Sequence, residues 1–303
     1  MEVDGTSSAV QVTPVPIAAT SADGVVLRGI HLARRGTPAE PVSTGDGKPA
    51  KLAEPAGWVS TALVVAHGFT HRIRYSSTRR LLAAFAQDVP VVALDMRGHG
   101  RSGGRSTVGD REPLDLDAAV ATARALGYER VVTVGFSLGA AVALRHAAAG
   151  VHRPDAVVAV SSPARWYSRE TAPMRRVHWL LEQPHGRLVA RAIGVRLDGG
   201  WEVVPPSPVE VVGAIAVPLL LVHISGDRYF SAAHARALAA AAGGRAELWN
   251  EPGDGHGESG THPELARRIA RWARNPDDGR ERTRSTVGAH RPAHRRAAGS
   301  EVG

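Results

Sequence analysis

The chain has 303 residues, a formal net charge of +8 and no cysteine, which excludes disulfides, thiolate nucleophiles and thiolate-bound metals. The length accommodates one large α/β domain with an insertion and tails. The basic charge is almost all Arg, Lys48 and Lys51 being the only lysines, and it is spread along the chain rather than interleaved with aromatics, which argues against nucleic-acid binding.

No basic segment followed by an apolar one opens the sequence at Met1, so a cytoplasmic protein is expected. Val10 to Ile17 and Val25 to Leu32 flank an Ala22-Asp23-Gly24 turn and read as an edge hairpin. A surface loop rich in Gly and Pro is expected over 33–57. Thr61 to Ala66 then reads as a strand, Ser77 to Gln87 as a helix, Val91 to Asp95 as a strand, and Leu114 to Leu126 as a helix closed by Gly127. Arg130 to Val134 is a β-branched run, followed by an Ala-rich helical stretch from Ala140 to Ala149 and a strand over Ala156 to Val160.

The alternation of strand and helix lapses over 164–215, where Met174 to Leu181 and Arg187 to Ile193 read as short helices. This insertion carries Trp166, Trp179 and Trp201, read as part small core and part wall of a substrate pocket. Alternation resumes with strands at Leu219 to His223 and Ala246 to Trp249, separated by a helix opened by Ser231 and ended by Gly243-Gly244. Thr261 and Glu264 have capping-box spacing at the start of a last helix that runs to Arg274. The tail over 276–303 mixes Arg with Asp277, Asp278, Glu281 and Glu301, and is expected to lack stable structure. The pattern predicts an α/β fold: a mostly parallel eight-stranded sheet flanked by helices, with core segments 1–163 and 216–275 and a short helical lid over 164–215. No apolar run approaches the roughly 18 residues needed to span a bilayer.

The chemistry concentrates where strands end. Gly135-Phe136-Ser137-Leu138-Gly139 joins a strand to a helix, and a Ser between two glycines at such a turn has the geometry of a nucleophile elbow. The Leu138 amide then lies at a helix N-terminus, where it can meet a developing oxyanion. After Ala66, the string His67-Gly68-Phe69-Thr70 lets the backbone turn so that the Phe69 amide points to the same place. His67 reads as a brace for this loop, with a general base as the competing role. Asp95 and Arg97 are expected to pair and shape the following glycine-rich loop. Asp227 is the one carboxylate in Ile224 to Phe230, suited either to orient a histidine or to form a turn. His256 sits between glycines after the last strand, with no packing reason to be there. The order Ser137, Asp227, His256 differs from the orders of the chymotrypsin and subtilisin arrangements.

These strings together resemble the α/β-hydrolase superfamily over roughly Val25 to Ala273, apart from the insertion. The matching pieces are His67-Gly68-Phe69, Asp95-x-Arg97-Gly98-His99-Gly100-x-Ser102, Gly135-x-Ser137-x-Gly139, Gly226-Asp227 and Gly255-His256. Within the superfamily the chain is similar to esterases, monoacylglycerol-lipase-like and serine-peptidase-like hydrolases. Such relatives often carry His-Gly-x-x-Asp, whereas here His223 is followed by Ile224-Ser225-Gly226-Asp227. The resemblance implies a serine hydrolase acting on a small-molecule acyl substrate without a cofactor. It implies Ser137 as nucleophile, His256 as base, Asp227 as orienter, and the Phe69 and Leu138 amides as oxyanion donors. Epoxide hydrolases and haloalkane dehalogenases of this fold are alike in using Asp at the elbow, so Ser137 sets the chain apart from them. Thioesterase, C–C hydrolase and peptidase chemistry stay open, as does a non-catalytic protein of this fold that binds a ligand or partner.

Overall fold

The expected strands form one eight-stranded sheet, in the order β1-β2-β4-β3-β5-β6-β7-β8. A computed structural model describes residues 12–34 and 60–276. The hairpin of β1 (Val12–Thr20) and β2 (Val26–Arg34) forms one edge, and β2 pairs antiparallel with β4 (Val91–Leu94). From β4 onward the pairing is parallel, through β3 (Thr61–Ala66), β5 (Arg130–Phe136), β6 (Ala156–Val160), β7 (Leu219–Gly226) and β8 (Ala246–Asp254). The central strands β3 to β6 are buried along their whole length apart from the half-buried Arg130, as expected for a parallel sheet covered on both faces.

Helices cover both faces. On one, α1 (Ser76–Ala86) and α8 (Pro263–Arg274) pack Leu82, Phe85, Leu265 and Ile269 against Val134, Val158 and Leu220. On the other, α2 (Glu112–Ala125), α3 (Leu138–Ala149) and α7 (Ala232–Ala241) pack Val120, Leu144 and Leu238 against Val64, Val157 and Leu221. Between β6 and β7 lie α4 (Ala172–Glu182), α5 (Gly186–Ala192) and the one-turn α6 (Pro208–Val211), so the helices expected in the insertion are present. Leu180, Ala190, Val195 and Leu197 give this stretch a small core, which leans on Phe69. No helix among the described residues is long and apolar enough to cross a membrane.

Several boundaries differ from the sequence reading. The expected 33–57 loop starts later, because Ala33 and Arg34 extend β2 to match β1; residues 35–59 lie outside the described residues, as does the tail over 277–303. α2 starts at Glu112, where Pro113 occupies the first turn. The Glu112 carboxylate accepts from Ser106 Oγ, from Thr107 N and Oγ1, and from Gly109 N, which organises the preceding turn. The capping box at Thr261 and Glu264 is not formed. His262 is the N-cap, its Nδ1 accepting from Leu265 N at 3.2 Å, while Thr261 Oγ1 donates to Gly257 O at 2.9 Å.

The expected Asp95–Arg97 pair is also absent. Arg97 turns instead to Asp115 and Asp23: its Nε and Nη2 bond Asp115 Oδ1 at 2.9 and 2.7 Å, and its Nη1 bonds Asp23 Oδ2 at 2.7 Å. Asp115 Oδ2 also accepts from Arg97 N at 2.7 Å, so one buried carboxylate holds both the backbone and the side chain of the arginine. Asp95 instead accepts from Ile73 N at 2.7 Å, tying the loop after β4 to the entry of α1. Residues two apart share a face only while the chain stays extended; β4 ends at Leu94, so Asp95 and Arg97 lie beyond it and each charged group finds its own partner. Asp115→Ala leaves the Arg97 guanidinium buried with Asp23 alone, and truncating one member of a buried pair costs about 3 kcal/mol. A fall in Tm of roughly 10 °C is the expected readout in thermal unfolding.

Candidate active site

The sharp turn after β5 is built by two glycines. A Cβ at Gly135 would lie 2.3 Å from Gly139 O, and one at Gly139 would lie 2.3 Å from Ala66 O, so strand β5, helix α3 and strand β3 meet backbone to backbone. Between them Ser137 takes φ 53° and ψ −115°, a conformation that costs a non-glycine residue about 1–3 kcal/mol. Its N–H donates to Val160 O at 3.0 Å, pinning the elbow to the end of β6. The turn presents the hydroxyl to a cavity that Ser137 helps to line.

The other sequence-derived residues converge there. His256 Nε2 lies 2.7 Å from Ser137 Oγ, and His256 Nδ1 lies 2.8 Å from Asp227 Oδ2. Asp227 Oδ1 accepts from Tyr229 N at 2.8 Å and Phe230 N at 3.2 Å. Burial pushes the Asp227 carboxyl up, but its bond to His256, the charge of that ring and the Tyr229 N–H outweigh burial and leave it below the usual carboxylate range. The Tyr229 ring stacks on the His256 ring at a centroid distance of 4.3 Å, fixing the imidazole plane. β8 runs to Asp254, five residues past Trp249, so the polar loop expected after Trp249 begins only at Gly255. His256 follows at its first turn.

His67 is a brace. Its Nε2 accepts from Met96 N at 3.0 Å, so its Nδ1 carries the proton and donates to Gly68 O at 2.8 Å. Burial first, and then the neighbouring His99, hold its pKa well below the ordinary value, so the ring stays neutral. It makes no hydrogen bond to Ser137. Phe69 N and Leu138 N, the two amides picked out in the sequence, have no acceptor among the described residues.

The cavity over Ser137 holds about 500 Å³. Phe69, Trp166, Trp201, Tyr229 and Phe230 supply aromatic wall, and Met174 and Leu181 of α4 also line it. The Trp166 and Trp201 indole N–H groups donate to the backbone at Pro205 O and Thr107 O, at 2.9 and 2.6 Å, and their rings lie 5.6 Å apart. Trp179 takes no part in the wall and is about half exposed at 48%. Of the tryptophans in the insertion, then, two face the cavity.

One residue escaped the sequence reading. The Glu258 carboxylate is buried and its Oε1 accepts from Gly68 N at 2.6 Å. Nothing in the string His256-Gly257-Glu258 distinguishes a loop carboxylate facing water from one that reaches across to β3.

A sequence profile of the Alpha/beta hydrolase family matches residues 63–272. The chain belongs to the alpha/beta hydrolase family. No curated protein matches the sequence. Among solved structures, this hydrolase-family chain is similar to an esterase from Pyrococcus furiosus, with 22% identity and a TM-score of 0.60, over 87% of this chain and 92% of that one. It is also similar to a serine hydrolase of Xanthomonas campestris described as lacking a lid, with 16% identity and a TM-score of 0.51, over 86% and 91% of the two chains. Similarity to puromycin hydrolase has 17% identity and a TM-score of 0.59, and covers 88% of this chain but 39% of that one. These likenesses describe a shared fold; the side-chain geometry above is this chain's own.

Proposed function

We propose that this protein is a serine hydrolase that cleaves a carboxylic ester or related acyl substrate through an acyl-enzyme on Ser137. The observation that carries the reading is the unbroken chain from Ser137 Oγ through His256 to Asp227, at 2.7 and 2.8 Å, beneath an aromatic cavity. His256 takes the Ser137 proton as Oγ attacks the carbonyl carbon, and Asp227 stabilises the imidazolium that results. The negative oxygen rests between the Phe69 and Leu138 amides, whose N–H groups are free to receive it. His256 then protonates the leaving group, and a water activated by the same ring releases the acyl group.

Residues 164–215 act as the lid; in support, Trp166, Met174, Leu181 and Trp201 line the same cavity as the nucleophile. Their apolar, aromatic faces suit an acyl chain or a small aromatic ester, because the indole N–H groups are already satisfied by backbone carbonyls. Thioesters, activated C–C bonds and peptides would use the same residues.

The test is labelling with a fluorophosphonate probe, followed by peptide mapping and by turnover of esters of increasing acyl length. The label is expected on Ser137. Full-length protein that takes no label and turns over no ester would instead support a non-catalytic member of the family that only binds a ligand.

A further inference from the structure

The loop after β3 has one amide to present and several ways to misplace it. Gly68, which lacks a Cβ, is the loose joint, and a planar trans peptide sends Gly68 C=O and Phe69 N–H in opposite directions. Gly68 O is drawn to one side by two donors, His67 Nδ1 at 2.8 Å and His71 N at 3.0 Å. Phe69 O is held by His99 Nε2 at 2.6 Å. Gly68 N, the remaining group on the joint, is held by Glu258 Oε1 at 2.6 Å. Every polar backbone atom of the pair is therefore engaged except Phe69 N–H, which has no acceptor among the described residues.

We propose that Glu258 is a positioning residue that fixes the Gly68 joint, and so aims Phe69 N–H at the oxyanion while tying that loop to the one bearing His256. Glu258 lies two residues after His256, and its side chain is only 2% exposed. A Cβ on residue 68 would come within 3.1 Å of Glu258 Oε2 and 3.5 Å of Ser137 Cβ, so the carboxylate, the joint and the nucleophile share one packed contact. Base and amide donor are thus carried on loops from opposite sides of β5 that cannot drift apart independently. His71 Nδ1 also faces the carboxylate, at 3.7 Å from Glu258 Oε2.

The inference rests on Ser137 as nucleophile, and its test separates the two. Phosphonylation of Ser137 by a fluorophosphonate needs the same amide donors but no knowledge of the natural substrate. Glu258→Met fills the same space without the acceptor, and is expected to slow labelling about 10- to 100-fold, a part of what deleting an oxyanion donor costs. Glu258→Gln keeps an oxygen for Gly68 N–H, and is expected to label within about threefold of wild type, since a neutral acceptor gives a weaker version of the same bond. On any ester that is turned over, the loss in Glu258→Met falls on kcat and leaves KM within about threefold, as for an interaction made only in the transition state. Should Glu258→Met not fold, Glu258→Asp, one methylene short of the amide, is expected to slow labelling likewise. Wild-type labelling rates in Met or Asp variants overturn the inference alone. So does a Gln variant as slow as Met at an unchanged melting temperature. Wild-type protein that takes no label at Ser137 overturns the nucleophile reading and this inference with it.

Discussion

Ser137→Ala is expected to lower kcat for ester hydrolysis by about 10⁶-fold, with binding of substrate little changed. The size of the effect follows from what remains. Without Oγ no acyl-enzyme can form, and His256 faces an empty position at the elbow where the donor hydroxyl stood 2.7 Å away. The two amides and the cavity would still hold the substrate and polarise its carbonyl, which sustains only a residual rate about 10³–10⁴ over water. The substitution is gentle on the fold because Ala, like Ser, carries a Cβ into the φ 53° conformation that the elbow imposes. Ser137→Gly provides the complement: equally inactive, yet more stable by about 1 kcal/mol, because glycine occupies that region without the steric penalty. Steady-state kinetics and thermal unfolding on the same three proteins check both halves. A Ser137→Ala protein that kept a tenth of wild-type turnover would exclude the acyl-enzyme route.

Why the elbow was legible in the sequence, and Glu258 was not, comes down to the range of the constraint. Gly135 and Gly139 are dictated by backbone contacts that any strand-to-helix turn of this sharpness must make, so the motif announces its own geometry. The strands were legible for a similar reason: a sheet covered on both faces needs short apolar runs rich in β-branched residues, and β3, β5 and β6 are such runs, buried throughout apart from Arg130. Asp227 and His256 were found by their place after β7 and β8. Charged partners were less readable, because the sequence shows a charge without its direction. Asp95 and Arg97 looked like a pair, yet Arg97 reaches Asp115 on α2 and Asp23 on the edge hairpin. Glu258 reaches Gly68 across 190 positions of sequence, a contact that no local pattern encodes. The expected cap of α8 fails for a smaller reason: the helix begins at Pro263, so His262 holds the N-cap position and Thr261 lies one residue outside it.

Asp227→Asn is expected to cost about 10⁴ in kcat, although Asn has nearly the same shape. The reason lies in which of its atoms would face the histidine. Asp227 Oδ1 is claimed by two backbone donors, Tyr229 N and Phe230 N, at 2.8 and 3.2 Å. An amide placed there must turn its oxygen toward those N–H groups, since its NH₂ would meet them donor to donor. The NH₂ then occupies the place of Oδ2, 2.8 Å from His256 Nδ1. A donor at that place requires Nδ1 to be the acceptor, so the imidazole proton moves to Nε2, the nitrogen facing Ser137 Oγ. In that tautomer Nε2 of His256 has no lone pair to take the serine proton, and a ring flip within the plane that Tyr229 stacks does not recover it, because the flip puts ring carbons where the two nitrogens stood. The fold should survive, because the carboxylate oxygens are replaced by an oxygen and a nitrogen in the same positions. The expected result is therefore a protein with wild-type melting behaviour, near-normal substrate binding and a rate of Ser137 phosphonylation reduced in parallel with kcat. An Asn variant retaining more than about a tenth of the wild-type rate would mean that Asp227 does not set the tautomer of His256.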